Sequence, residues 1–125
     1  MTNLRHVYVV DDDRNIRDLL CLIGEERGFA CHCYASGEEF LAAVGELPVG
    51  CVLLDVRLPG MSGLDVQAEL ARRGRSDAII TITGHGYVDT AVESMKMGAV
   101  DFLEKPFSNE DMFAALDRAA ASIPV

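Results

Sequence analysis

The 125-residue chain reads as one doubly wound α/β domain built on five parallel strands. Three observations predict that class. The apolar-rich runs His6–Val10 (HVYVV), Cys51–Leu54 (CVLL) and Ala78–Ile82 (AIITI) have the continuity of strands buried on both faces, the habit of parallel sheets. The stretches between them carry apolar residues at helical spacing, with cap residues at their ends. Strand and helix alternate five times, at spacings of about 21–27 residues, the length of one βα unit. Right-handed crossovers then place helices on both faces of the sheet.

The first strand, His6–Val10, ends in Asp11, Asp12 and Asp13. A helix follows over about residues 14–27, its apolar positions Ile16, Leu19, Leu20 and Ile23 at i, i+3, i+4, i+7, with Gly28 as its stop. Asp13 caps it. Phe29–Tyr34 alternates enough for a strand nearer a sheet edge. Ser36 and Glu39 form a capping box for a helix to about Gly45, with Phe40, Leu41 and Val44 inward. Pro48 and Gly50 break the chain before the central strand, which runs from Cys51 into Asp55.

The turn Pro59-Gly60 leads to Ser62 and Asp65, the cap of a third helix. Leu64, Ala68, Leu70 and Ala71 are its apolar positions and Gly74 ends it. Ala78–Ile82 leads into Thr83-Gly84-His85-Gly86. A fourth helix spans about residues 88–97, with Ala91, Val92 and Met95 inward. Asp101–Glu104 is a short fifth strand ending at Lys105-Pro106-Phe107. Ser108 and Asp111 cap the last helix, which buries Met112, Leu116, Ala119 or Ala120, and Ile123.

Composition narrows the function classes. A net charge of −9, from 11 basic and 20 acidic residues, argues against direct nucleic-acid binding, because phosphate backbones are gripped by clustered Lys and Arg. Arg72, Arg73 and Arg75 gather at a helix end, where the helix dipole favours them. No apolar run reaches membrane-spanning length and no signal peptide is seen, so the expected location is the cytoplasm. Cys21, Cys31, Cys33 and Cys51 lie inside apolar patterns. They read as buried free thiols, in preference to a metal cluster on Cys31-His32-Cys33.

Chemistry gathers at the strand ends. Asp11 and Asp12 follow the first strand, Asp55 ends the third, Thr83 the fourth and Lys105 the fifth. Parallel strands deliver all five groups to one rim. In the flavodoxin-like order 2-1-3-4-5, the first and third strands meet at the topological switch point, which brings Asp11, Asp12 and Asp55 into one crevice. Three crowded carboxylates need a cation, and hard oxygen donors suit Mg²⁺, with Mn²⁺ or another divalent ion as a substitute. Such a cation beside a carboxylate nucleophile, with a Lys and a Thr hydroxyl for phosphate oxygens, is a phosphoryl-transfer site.

The segments VVDDD (9–13), LLDVRLPGMSG (53–63), ITGHG (82–86) and DFLEKPF (101–107) together resemble the receiver domain of two-component response regulators. The run TGHGYVDTAVESMKMGAVDFLEKPF is most similar to FixJ-type transcription regulators. The resemblance covers essentially the whole chain and implies the following roles. Asp55 accepts a phosphoryl group from a phosphohistidine on a sensor histidine kinase. Asp11, Asp12, Asp55 and the Arg57 backbone carbonyl hold Mg²⁺. Thr83 and Lys105 take phosphoryl oxygens, Lys105-Pro106 is a cis peptide, and Thr83 with Phe102 forms the switch.

The resemblance also implies residues 1–125 as the N-terminal part of a longer protein with a DNA-binding output domain. A phosphorylation-dependent homodimer through the fourth helix and fifth strand is a further expectation, with no membrane partner. Beyond its own phosphotransfer and slow autodephosphorylation the domain is not an enzyme. Arg57 and His85 flank the path of an attacking water and are expected to tune the acyl-phosphate lifetime; His85 as metal ligand or general base is the weaker reading. Asn15, Asp18 and the loop Pro106–Ser108 are candidate kinase contacts. An aspartyl-phosphate hydrolase is the competing class; it would want an acid two residues after Asp55, where Arg57 stands.

Overall fold

A computed structural model of the chain describes residues 5–84 and 88–123. Five strands alternate with five helices: β1 (Arg5–Val10), α1 (Arg14–Glu26), β2 (Phe29–Tyr34), α2 (Gly37–Val44), β3 (Cys51–Asp55), α3 (Gly63–Arg72), β4 (Ala78–Thr83), α4 (Val88–Lys96), β5 (Asp101–Glu104) and α5 (Asn109–Ser122). Every pairing is parallel and the sheet order is β2-β1-β3-β4-β5. The predicted fold class is therefore the observed one.

The continuous apolar runs have a direct explanation. Successive side chains of a strand point to opposite faces, and here each face carries its own core. Val7, Val9, Leu53, Ile80 and Ile82 pack with Leu20 and Ile23 of α1 and with Met112 and Leu116 of α5. Tyr8, Val10, Val52, Leu54 and Ile79 pack on the other face with Phe40, Val44, Val66 and Leu70 from α2 and α3.

The helices begin and end where short-range chemistry places them. Asp13 accepts from the backbone of Asn15 and Ile16. Ser62/Asp65 and Ser108/Asp111 are reciprocal capping boxes. Ser36 accepts from the Glu39 amide in the same way, and the neighbouring Glu38 carboxylate accepts from the Met61 amide at 3.2 Å. Gly28 (φ 85°) ends α1, a left-handed position that glycine adopts without penalty.

Three helix faces differ from their expected patterns. Leu19 of α1 is exposed while Leu20 and Ile23 are buried. Ala68 and Ala71 of α3 face solvent, and Val66, Gln67 and Leu70 are buried instead. In α4, Val92 and Met95 are exposed, and Ala91 and Ser94 form the buried face. A polar network rather than apolar packing sets that last orientation. The Gln67 amide donates to the Ser94 carbonyl at 3.0 Å and accepts from the Ser94 hydroxyl at 2.7 Å. The Thr81 hydroxyl completes the group against Ser94. Helical periodicity weighs apolar residues and so passed over a buried face made of Gln and Ser.

The cysteines also depart from expectation. Cys21 and Cys33 are joined as a disulfide, Cys31 is a half-buried thiol, and Cys51 alone is the buried free thiol anticipated. The pleat turns Cys33 toward α1, and the helix turns Cys21 toward β2. Their separation of 12 residues in the chain concealed that approach.

Arg75 is the clearest structural ion. Its Nη1 donates to the carbonyls of Val44 and Leu47, each at 2.9 Å, closing the carboxyl end of α2. Its Nε meets Asp77 at 2.8 Å, and Asp77 in turn accepts from the Gly50 amide at 2.9 Å. Arg72 and Arg73 pair instead with Glu69 at the surface. Removing one member of a largely buried pair leaves the other charge uncompensated. Arg75→Ala should lower the unfolding free energy by roughly 3 kcal/mol in urea titrations, whereas Arg72→Ala, at a surface pair, should leave the midpoint nearly unchanged.

Candidate acidic site at the carboxyl edge of the sheet

Strands β1 and β3 are neighbours, and the chain leaves both at the same rim. Asp11 follows β1 directly and is fully buried; Asp55 ends β3 and is 6% exposed. Asp12, one residue on, faces solvent. One carboxylate oxygen from each of the three lies within 4.8 Å of the others.

Backbone contacts hold the first two acids. The Asp11 amide donates to the Tyr34 carbonyl of β2 at 3.1 Å. Its Oδ1 accepts from the Asp13 amide at 2.9 Å, and its carbonyl accepts from Arg17 Nη1 at 2.8 Å. Asp55 Oδ1 accepts from the Arg57 amide at 2.9 Å. Arg17 escaped the sequence reading. Its position one turn into α1, on the rim side of the Asp13 cap, was the available signal.

Lys105 arrives from β5. Its amide donates to the Thr83 carbonyl at 2.7 Å, and the bond to Pro106 is cis. Its Nζ stands 3.2 Å from Asp11 Oδ2 and 3.3 Å from Asp55 Oδ2, bridging the two. Thr83 is buried at the end of β4, its hydroxyl donating weakly to the Leu103 carbonyl at 3.5 Å. Phe102 projects outward from β5 and is 41% exposed. His85 lies outside the described residues, as does the end of the loop that begins at Thr83.

The turn after β3 is held close. A Cβ at Gly63 would stand 2.4 Å from the Asp55 carbonyl oxygen and 2.7 Å from Val56 Cα. Only glycine lets α3 start there. The Gly63 amide donates to the Val56 carbonyl at 3.0 Å. The end of the Pro59–Gly63 turn is thus packed directly against the backbone of Asp55 and Val56.

Electrostatics follow from these contacts. Burial raises the Asp55 carboxyl above its ordinary value, opposed by the Arg57 amide; Asp11 raises it further and Lys105 pulls it back. Burial would lower Lys105, but the Asp55 and Asp11 carboxylates outweigh it and hold the ammonium above its usual value. Three carboxylates face one ammonium. The donor set is all hard oxygen with an excess of negative charge, which fits a divalent cation of the Mg²⁺ type.

Comparison with known proteins identifies the class. A family model described as the response regulator receiver domain matches residues 7–117, and the chain belongs to that family. Response regulator protein TmoT of Ectopseudomonas mendocina is 44% identical over 118 residues, covering 94% of this chain and 54% of that protein. Transcriptional regulatory protein FixJ of Azorhizobium caulinodans is 47% identical over 110 residues, covering 88% of this chain and 52% of that protein. The crystal structure of FixJ-N superposes with a TM-score of 0.91 at 38% identity, covering 100% of this chain and 99% of that one. The chain spans about half the length of the curated relatives it matches. It is thus a signalling receiver domain of the kind found in two-component response regulators. Among the described residues no helix is long and apolar enough to cross a membrane.

The raised Asp55 carboxyl has a consequence for stability. A carboxyl held higher in the folded state than in the unfolded one favours folding at low pH, and that contribution is lost as pH rises through the folded value. Ionised Asp55 therefore costs stability at neutral pH in the absence of a cation. In chelator, Asp55→Asn should be more stable than the parent at pH 7, and the difference should vanish as pH falls toward about 4. Denaturant midpoints across that range check it. Added Mg²⁺ should then stabilise the parent more than the variant.

Proposed function

We propose that Asp55 accepts a phosphoryl group from the phosphohistidine of a sensor histidine kinase, making this domain the phosphorylation-controlled switch of a two-component system. The observation that carries this reading is the Lys105 bridge between Asp55 and Asp11 beside Asp12, at the rim where β1 and β3 part.

A carboxylate oxygen of Asp55 attacks phosphorus as the histidine nitrogen leaves. The Arg57 amide on Oδ1 fixes the carboxylate plane, leaving Oδ2 on the side of Lys105. Lys105 then exchanges part of its carboxylate contact for a phosphoryl oxygen. Asp11, Asp12, Asp55 and the Arg57 carbonyl would hold Mg²⁺, which would supply charge neutralisation for the phosphoryl oxygens. Positioning and charge compensation are what such transfers chiefly require.

The switch rests on Thr83 and Phe102. The Thr83 hydroxyl gives up a long bond to Leu103 for a strong acceptor on the phosphoryl group. Phe102 turns inward from its exposed position as Thr83 moves toward the phosphoryl group. This changes an α4–β5 face already rich in exposed apolar groups: Val88, Val92, Met95 and Phe102. That face is the homodimer surface of the active form. The domain is the N-terminal part of a longer cytoplasmic regulator whose output domain binds DNA. The transcriptional regulators among its relatives, of whose length the match covers 58% and 52%, support that reading.

With acetyl phosphate and Mg²⁺ the protein should gain one phosphoryl group, seen by intact mass. Asp55→Asn should gain none, and chelator should abolish the gain. Lys105→Ala should slow incorporation by about tenfold or more. Beryllofluoride should convert the parent to a dimer on sizing while Val92→Asp stays monomeric. Equal masses with and without the mimic would remove the dimer from this reading.

A further inference from the structure

The disulfide between Cys21 of α1 and Cys33 of β2 lies at the surface, with Cys33 exposed and Cys21 half-buried. Its surroundings favour exchange with solvent over reshuffling inside the chain. Cys31, two residues from Cys33 on the same strand face, sits tightly against Gly24 of α1. Burial, with the Glu25 carboxylate adding to it, pushes the Cys31 thiol up to about 11. A thiol so protonated at neutral pH is a poor nucleophile toward its neighbours. Cys51 is buried in the core.

The bond also has a path to the acidic site. The carbonyl of Arg17 lies 3.8 Å from the Cys33 sulfur, and its guanidinium donates to the Asp11 carbonyl at 2.8 Å. One turn of α1 therefore joins the sulfur pair to the acidic pocket.

We propose that Cys21 and Cys33 are a reversible thiol–disulfide couple that braces α1 against β2 and exchanges with low-molecular-weight disulfides and thiols. In the oxidising direction the exposed Cys33 thiolate attacks a sulfur of a small dialkyl disulfide; that S–S bond breaks and one thiolate leaves. Cys21, as its thiolate, attacks the Cys33 sulfur of the mixed disulfide and expels the second. Two electrons pass from the cysteine sulfurs to the small disulfide, and the two cysteine protons end on the two released thiols. Reduction runs the same steps backward. The exchange chemistry itself uses no group of the acidic site.

The test uses the whole chain equilibrated in glutathione buffers of graded oxidised-to-reduced ratio, then acid-trapped, unfolded, alkylated and peptide-mapped. Cys21 and Cys33 should lose alkylation together and regain it on reduction, while Cys31 stays alkylatable throughout. Amide exchange over residues 14–23 should be slower in the oxidised form by about threefold or more. Cys31→Ser should behave as the parent, and Cys33→Ser should show neither effect. A lasting glutathione adduct on Cys33 without the internal bond, chain-to-chain disulfides, or a bond that leaves α1 exchange unchanged would each overturn the proposal. No readout involves Asp55, so failure of phosphoryl incorporation would not be confused with failure here.

Discussion

The structure is organised around one electrostatic constraint: three carboxylates held within 4.8 Å of one another with a single ammonium to offset them. Such a cluster costs free energy at Asp55, where burial and the Asp11 charge both oppose ionisation. It persists because the surrounding fold fixes each acid through the backbone. Asp11 is tied to β2, to the start of α1 and to Arg17, and Asp55 is held by the Arg57 amide and backed by Gly63. The site therefore carries excess negative charge, with the Lys105 ammonium bridging two of the acids. That is the condition under which a divalent cation and a phosphoryl group can be accommodated together.

The rest of the molecule supplies rigidity to that rim and freedom to the face beside it. β1, β3 and β4 are buried almost throughout, with apolar cores on both sides. Arg75 and Asp77 close the opposite end by satisfying carbonyls after α2 and the Gly50 amide before β3. On the α4 side the arrangement differs. The buried network of Gln67, Ser94 and Thr81 is fully satisfied, so α4 has a defined seat. Its outer side, near the exposed Phe102, presents Val88, Val92 and Met95 among the exposed charges of Asp89, Glu93 and Lys96.

How much was legible in the chain itself varied with the range of the interaction. Asp13, Ser62 and Ser108 were readable as caps because a cap involves residues within four positions. The strand ends were readable because parallel strands oblige Asp11, Asp55, Thr83 and Lys105 to leave at one rim, whatever the details of packing. The outward turn of Val92 and Met95 was not readable, since it depends on α3 offering Gln67 to Ser94 across the sheet edge. The pairing of Cys21 with Cys33 was hidden for the same reason.

The amino-acid sequence by itself determined the βα repeat, the doubly wound parallel sheet, and the set of polar residues delivered to its carboxyl edge. These follow from periodicity, capping and strand direction, all of which act along the chain. Tertiary structure decided that Lys105 bridges Asp11 and Asp55, that Arg17 supports Asp11 from α1, which face of α4 is buried, and which two thiols meet. Each of those is a contact between side chains distant in sequence, and its geometry exists only once the sheet and its helices have packed.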